Sequence, residues 1–283
     1  MAKLEIGLHW LAITFYVLGT ACFVIGIYWR KDGLNRWCHR LTAIGLLPHG
    51  IALGLRWLVA GRIPVYGRFE AFSGLVWLGL VIYFLLRRKY EVTDWAAIVI
   101  YPTSILILGI VVMSSPEIKE VPETFKTFWL VVHILFAKLT YGFNLIGAAF
   151  AVLYLHKLRH TTGSAALIRQ SGVSFVDRLP TGEELDEWSY LCISCGFVFL
   201  TVMIISGSIW ANSAWGSYWS WDPVETWSLI AWLVYGLYLH LRRTLNWRGV
   251  VVTWIGIIAF LLILFALIGL GFLDAGMHSQ YLA

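Results

Sequence analysis

The chain carries the stretch WSYLCISCGFVFLTVMIISGSIWANSAWGSYWSWDPVETWSLIAWLVYGLYLHLRR at residues 188–243. Two apolar runs, 188–211 and 224–243, flank a short segment rich in tryptophan, glycine and acidic residues. A helix of about 20 residues, rising about 1.5 Å per residue, crosses a hydrocarbon core roughly 30 Å thick. This stretch therefore predicts two membrane-spanning helices joined by a short loop at the membrane surface.

Apolar runs of similar length recur along the whole chain. Of its 283 residues, 59% are hydrophobic and only 13% are charged, whereas ordinary globular domains contain about 25% charged residues. Lipid-facing backbone must satisfy its own hydrogen bonds, so each span is predicted to be a helix. The sequence predicts an all-α integral membrane protein, a single polytopic domain over 1–283. Its eight predicted spans are 7–28, 39–60, 71–87, 95–114, 128–155, 188–211, 224–243 and 249–272.

Basic residues in the short connections orient these spans. Lysine and arginine collect in cytoplasmic loops, so we expect the basic connections in the cytoplasm and both termini outside. The stretch 156–187 is then a cytoplasmic loop, whereas 205–232 lies at the outer face. The net charge of +5 is explained by topology and by contact with lipid, and it gives no indication of nucleic-acid binding. The basic residues follow spans one, three, five and seven: Arg30, Lys31, Arg36, Arg40, Arg87, Arg88, Lys89, Lys157, Arg159, Arg169, Arg178, Arg242, Arg243 and Arg248.

Residues 205–232, termed here the tryptophan segment, concentrate aromatic rings at the predicted outer face. An interfacial belt needs one or two rings per helix end and has no need for Gly216, Asp222, Pro223 and Glu225 among them. Aromatic faces closed by a carboxylate suit a large, flat, apolar ligand with a polar edge. The tryptophans concerned are Trp210, Trp215, Trp219, Trp221, Trp227 and Trp232.

Two of the eight histidines fall on the same predicted side as the tryptophan segment. His133 lies near the outer end of the fifth span, and His278 follows the eighth. Either histidine alone is equally consistent with a polar residue at an interface. Two imidazoles flanking a flat ligand, however, form the axial pair of a bis-histidine haem. We therefore predict haem b at the outer face, with His133 and His278 as ligands of its iron.

Three further polar residues are candidates for a functional role. His49 lies at membrane depth, where an ionisable residue is a functional hypothesis by default. His240 ends the seventh span and could instead cap that helix. Arg56 is close enough to the outer boundary to extend into the headgroups, or to pair with haem propionates. Glu70 opens the third span and could either cap that helix or orient one of three arginines, Arg56, Arg62 or Arg68.

Several stretches resemble the CcsA/ResC family of cytochrome c assembly proteins, the haem-handling subunits of the System II machinery with their tryptophan-rich WWD motif. The family usually has lysine where Val224 stands and histidine where Arg62 stands, so no role transfers to those two positions. The similar stretches are RWLVAGRIPVYGRFEAF at 56–72, FWLVVH ending at His133, LDEWSYLCISCGF at 185–197, SGSIWANSAWGSYWSWDPVETWSLIAWLVYGLYLHLR at 206–242 and GMHS at 276–279.

The resemblance implies a set of residues around haem. His133 and His278 would be the external axial ligands. His240 would bind a second haem within the membrane, whose opposite histidine lies on a CcsB/ResB-like partner subunit, and His49 is a candidate substitute for that ligand. The haem platform would comprise Trp215, Trp219, Trp221 and Asp222, with Trp227 closing the segment and Arg56 near the propionates.

The resemblance also implies an activity, that of a cytochrome c synthetase (haem lyase) subunit. Haem would enter from the cytoplasmic side, pass the site at His240 and be presented outside. The Cys-x-x-Cys-His thiols of apocytochrome c, kept reduced by thiol-reducing proteins, would add to its vinyl groups. No catalytic side chain is implied, because the substrate supplies the thiols. A bacterial cytoplasmic membrane is favoured over a thylakoid membrane.

Three alternatives share some of these features. A haem-delivery protein of the CcmC type has the tryptophan motif but lacks the PVETW continuation seen at 223–227. A HemX-like membrane regulator or scaffold would carry a poorly kept tryptophan motif. An electron-transfer subunit with b-type haem would hold paired histidines about four turns apart on one span, and the predicted spans contain no such pair.

Overall fold

The computed structural model describes residues 2–161 and 175–270. These residues form eight long helices and contain no strand. A short helix, Phe175–Arg178, precedes the sixth of them, and a π-helical turn, Phe265–Gly269, continues the eighth. The long helices are α1 (Ala2–Tyr28), α2 (Asp32–Ala60), α3 (Gly67–Lys89), α4 (Ala97–Met113), α5 (Phe128–Thr161), α6 (Gly182–Trp215), α7 (Pro223–Arg243) and α8 (Val250–Leu264).

Each predicted span coincides with one of these helices, which confirms the all-helical fold for the described residues. Seven helical stretches are long and apolar enough to cross a membrane. Helix α7 is not among them, because polar residues such as Glu225 and Thr226 at its start and His240 near its end interrupt its apolar run. The chain is thus a multi-pass membrane protein, while the count of eight crossings and the outer position of both termini stay predictions.

Helix α5 packs along α6, and α1 packs along α2. Helix α3 contacts α4 and α5, whereas α7 and α8 pack on each other and against α6 and α5 respectively. Apolar side chains fill one core among α1–α5 and a second among α5–α8. A small third cluster, formed by Leu130, Ile134 and Trp210, joins the first turns of α5 to the last turns of α6. This end of the α5–α6 pair positions the candidate site.

Candidate functional site

The connection between α6 and α7 is short and held by its own polar groups. Gly216 ends α6 with a left-handed φ of 79°, and Trp221 has a φ of 59° immediately before α7. Asp222 then caps α7 by accepting a hydrogen bond from the Val224 amide at 2.9 Å, while the Glu225 carboxylate accepts one from the Asp222 amide at 3.3 Å. Such a reciprocal cap fixes the direction in which a helix begins. The interleaved polar residues therefore shape the loop that carries the rings.

Four tryptophans at the end of α6 and in the loop fall into two contacting pairs. Trp210 is buried, donates its indole N–H to the Thr124 carbonyl at 3.0 Å, and meets Trp215 edge-on with ring centroids 4.9 Å apart. Trp219 and Trp221 meet at 5.8 Å with nearly perpendicular planes, and Trp221 is 69% exposed. Of the rings predicted to form a haem platform, Trp215 thus packs on buried Trp210, while Trp219 is half-buried and Trp221 is exposed.

Trp227 has a different neighbour. It lies in the second turn of α7 and packs edge-on against Phe265 of the π-helical turn, with centroids 4.9 Å apart. This contact joins α7 to the end of α8. The structure therefore places Trp227 between helices, whereas Trp219 and Trp221 lie in the loop.

His133 lies in α5 with its ring held on three sides. Its Nδ1 is 2.8 Å from the Met203 carbonyl, and the ring stacks on Trp210 at 6.3 Å with planes 22° apart. Because a carbonyl only accepts, Nδ1 carries the proton and Nε2 carries the lone pair. Metal-binding histidines are commonly oriented in this way. Gly207 makes room for the ring, since a Cβ there would lie 2.6 Å from Nδ1.

A cavity with mostly apolar walls borders His133. A second, smaller space is lined by Trp219 and Glu225 and shares His133 with the first. Ligand sites commonly have apolar walls with a few polar groups. The residues present therefore fit an apolar ligand that takes one imidazole. Both spaces are lined by His133, Met203, Val224 and Ser228.

Lys138 also lines the larger cavity, and the sequence interpretation passed over it. The signal was available, because an ionisable residue inside a predicted span indicates function or a specific partner. The apolar residues around Lys138 outweigh its single charge in the hydropathy of the span, so hydropathy alone does not single it out.

His49 belongs to a continuous series of hydrogen bonds that joins α1, α2 and α3. It is fully buried, with Nδ1 3.1 Å from the Tyr16 hydroxyl and Nε2 2.9 Å from Ser73 Oγ. Ser73 Oγ also lies 3.0 Å from His9 Nε2, and His9 Nδ1 lies 3.0 Å from the Glu5 carbonyl. Because the Glu5 carbonyl at the end of this series can only accept, each hydrogen bond in the series has a single possible donor. Both nitrogens of His49 are engaged by protein groups.

Arg56 is likewise saturated by the protein. It is 1% exposed and donates to Glu70 at 2.8 Å, to Glu5 at 2.9 Å, and to the carbonyls of Pro116 and Glu117 at 2.8 and 3.2 Å. Its guanidinium also lies over the Phe69 ring, so the residue joins α1, α2 and α3 to the 114–122 connection.

Glu70 performs both roles predicted for it. It pairs with Arg56, and it accepts a hydrogen bond at 2.8 Å from the amide of Tyr66, the N-terminal capping position of α3.

Of the other two predicted iron ligands, His240 lies apart from this cluster. His240 is exposed near the end of α7, and α7 packs on α6 and α8 rather than on the α1–α3 group that encloses His49. His278 lies outside the described residues. Of the predicted ligands, the structure thus brings His133 to the tryptophan segment.

Comparison with known proteins gives a consistent result. A family model described as Cytochrome C assembly protein matches residues 66–278. Cytochrome c biogenesis protein CcsA of Trieres chinensis is 33% identical, over 93% of this chain and 94% of the relative. The CcsA protein of Prochlorococcus marinus (strain NATL2A) is 34% identical, over 84% and 83%.

A solved structure named Cytochrome c Heme Lyase CcmF shares the fold. It superposes with a TM-score of 0.70 at 19% identity, covering 94% of this chain but only 46% of the CcmF chain. This likeness concerns the architecture, and the present chain spans less than half of that larger protein. The family match and the full-length relatives place the chain, by sequence, in the CcsA family of cytochrome c biogenesis proteins.

Proposed function

We propose that this protein binds haem at the outer face of a membrane and presents it for covalent attachment to apocytochrome c. The observation that carries the proposal is the His133 imidazole, which donates from Nδ1 to the Met203 carbonyl beside an apolar cavity and the tryptophan segment. That bond fixes the tautomer whose Nε2 can coordinate iron. The proposed location is a bacterial cytoplasmic membrane.

Most of the predicted residues receive a role at the haem in this proposal. His133 would hold the iron, with His278 as the second axial ligand, and Asp222 would fix the loop that carries the rings. His240, exposed on α7, would contribute to a second haem site completed by a CcsB/ResB-like partner. Trp215, Trp219 and Trp221 would lie against the ring.

We assign Arg56 and His49 to the packing of α1–α3 rather than to direct contact with haem. Their polar atoms already bond to protein groups. If either side chain turned towards a ligand, its present buried partners would lose their hydrogen bonds. The free-energy cost of those unsatisfied groups exceeds the gain from the new contact.

The chemistry requires little of the protein beyond positioning. Each apocytochrome thiol adds across a haem vinyl group, so that one S–C and one C–H bond form while the S–H bond and the vinyl π bond are lost, without net oxidation. The thiols must arrive reduced, which implies thiol-reducing partner proteins. Holding two reactants in contact replaces much of a bimolecular barrier. The proposed activity is therefore that of a cytochrome c synthetase (haem lyase) subunit.

The test is the absorption spectrum of the reduced protein, purified alone and with its CcsB-like partner. We expect a haem spectrum that His133→Ala weakens or shifts. His156→Ala is the matched control, because His156 lies on the same helix, towards its opposite end, beside His160. Absence of haem from both wild-type preparations would overturn the proposal, and an unchanged spectrum in His133→Ala would remove that ligand.

A second experiment separates a synthetase from a haem-delivery protein or a regulator. The chain and its partner are expressed with an apocytochrome in a host that lacks its own maturation system. Covalently attached haem is expected. Bound haem without covalent product would indicate delivery to another protein.

A further inference from the structure

Lys138 lies deep inside the predicted membrane span of α5. The helix begins at Phe128, so Lys138 is about 15 Å along it, near the middle of a hydrocarbon core roughly 30 Å thick. Phe128 is 73% exposed and Trp129 39% exposed, as expected for aromatic residues at the membrane surface. A lysine stem can reach the surface from a helix end but not from this depth.

The ammonium group of Lys138 faces the larger cavity and the backbone of α3. A Cβ at Gly74 would overlap its Nζ, so the group lies directly against that glycine. Among the described parts of the chain, Lys138 has neither a hydrogen bond nor an ion pair. A charged group in apolar surroundings without a partner is unfavourable by several kcal/mol. The arrangement is therefore suited to receive an anion.

Glu70 attracts Lys138 electrostatically but makes no hydrogen bond or ion pair with it among the described residues. It is the acidic residue of α3 and lies one turn before Gly74, but Arg56 holds one of its oxygens at 2.8 Å and Arg62 the other at 2.7 Å. Turning its carboxylate towards Lys138 would break its bonds to both guanidinium groups. A carboxylate in direct contact with Lys138 would therefore belong to a ligand.

We propose that Lys138 pairs with a propionate carboxylate of the haem held at His133. This inference rests on the proposed function. Haem combines an apolar ring with carboxylates at one edge, and the cavity combines apolar walls, one imidazole and one ammonium group. An axial ligand alone leaves the ring able to turn about the iron–nitrogen bond. A charge pair away from that axis removes this freedom and so fixes the direction in which the vinyl-bearing edge of the ring points.

The experiment compares two ligands on two proteins. Haem and haem dimethyl ester, in which both propionates are esterified, are titrated into the complete chain with its partner, and affinity is followed by absorption. We expect wild-type protein to prefer haem by about tenfold or more, because close charge pairs couple that strongly. Lys138→Met, which keeps the volume and removes the charge, should abolish the preference. Lys126→Met is the control, since exposed Lys126 pairs with Glu123 at 2.6 Å, and it should keep the preference.

Several outcomes overturn this inference. Equal affinity of the wild-type protein for haem and its diester would overturn it. An undiminished preference for haem in Lys138→Met would also overturn it. If the methionine variant does not fold, Lys138→Gln takes its place. Competition by oleate that depends on Lys138 would assign the cavity to a lipid acid instead. The proposed function fails separately, if neither ligand binds or if His133→Ala binds haem as wild type does.

Discussion

Gly207 determines whether the His133 ring can occupy its position. An added Cβ would lie 2.6 Å from Nδ1 and 2.8 Å from Cε1 of that ring. Both distances are far shorter than ordinary van der Waals contacts, so Gly207→Ala must displace the ring or move α6 away from α5. Either movement changes the direction of Nε2.

Gly207→Ala is therefore expected to lower haem affinity by about tenfold and the free energy of unfolding by about 1–3 kcal/mol. An absorption titration and thermal unfolding in detergent measure the two effects. Gly79→Ala is the matched control, because a Cβ at Gly79 meets no atom within 4 Å. Wild-type affinity in Gly207→Ala would contradict the assigned position of the imidazole.

Asp222 permits a test that separates its shape from its charge. As the cap of α7, it can be replaced by asparagine with little loss, whereas Asp222→Ala is expected to lower stability by about 1 kcal/mol. We expect Asp222→Asn to retain the haem spectrum and the melting temperature. Loss of haem from Asp222→Asn to the same extent as from Asp222→Ala would show that the carboxylate charge itself acts on the ligand.

At the scale of elements, a buried cluster of charges joins α1, α2 and α3. Arg56→Met is expected to reduce the free energy of unfolding by about 3–5 kcal/mol, because it leaves the Glu5 carboxylate buried and unpaired and Glu70 with Arg62 alone. Thermal unfolding in detergent measures the effect. Lys126→Met removes the exposed pair with Glu123 and should change stability by about 1 kcal/mol or less. Equal effects of the two variants would contradict the assigned role of Arg56.

The extent of the helices could be predicted only where lipid determines it. Apolar runs located all eight helices, because burial in hydrocarbon requires helical backbone regardless of packing. Hydropathy could not show that α5 and α6 each continue to 34 residues, since their polar extensions are held by local caps and contacts. Nor could it pair Arg56 with Glu5 across 51 residues of sequence. That pairing depends on how three helices pack.

At the scale of the whole molecule, α7 decides whether the chain crosses the membrane eight times. Ser220 and Thr244 are both exposed and lie at opposite ends of this helix. A membrane-impermeant maleimide applied to intact cells should label Ser220→Cys but not Thr244→Cys, with both labelled once the cells are opened. Labelling of both positions from outside would show that α7 does not cross the membrane and would exclude eight crossings.

The candidate site was predictable in part, because apolar runs and basic loops indicate on which side of the membrane each helix end lies. Topology alone placed His133 on the side of the tryptophan segment, and the structure brings its ring against Trp210. The partners of His49 and Arg56 depend on tertiary contacts that no local pattern contains. The position of Lys138 over Gly74 depends on the contact between α3 and α5.

The π-helical turn at Phe265–Gly269 gives this part of the chain an unusual tolerance to a change in length. A π turn holds one residue more than the α-helix on either side of it. Removing a single residue there would restore regular α-helix and leave Leu270 close to its present direction. The same deletion within a regular helix would rotate the residues after it by about 100° and shift them by about 1.5 Å. A one-residue deletion in the turn should therefore be tolerated better than one in the middle of α5.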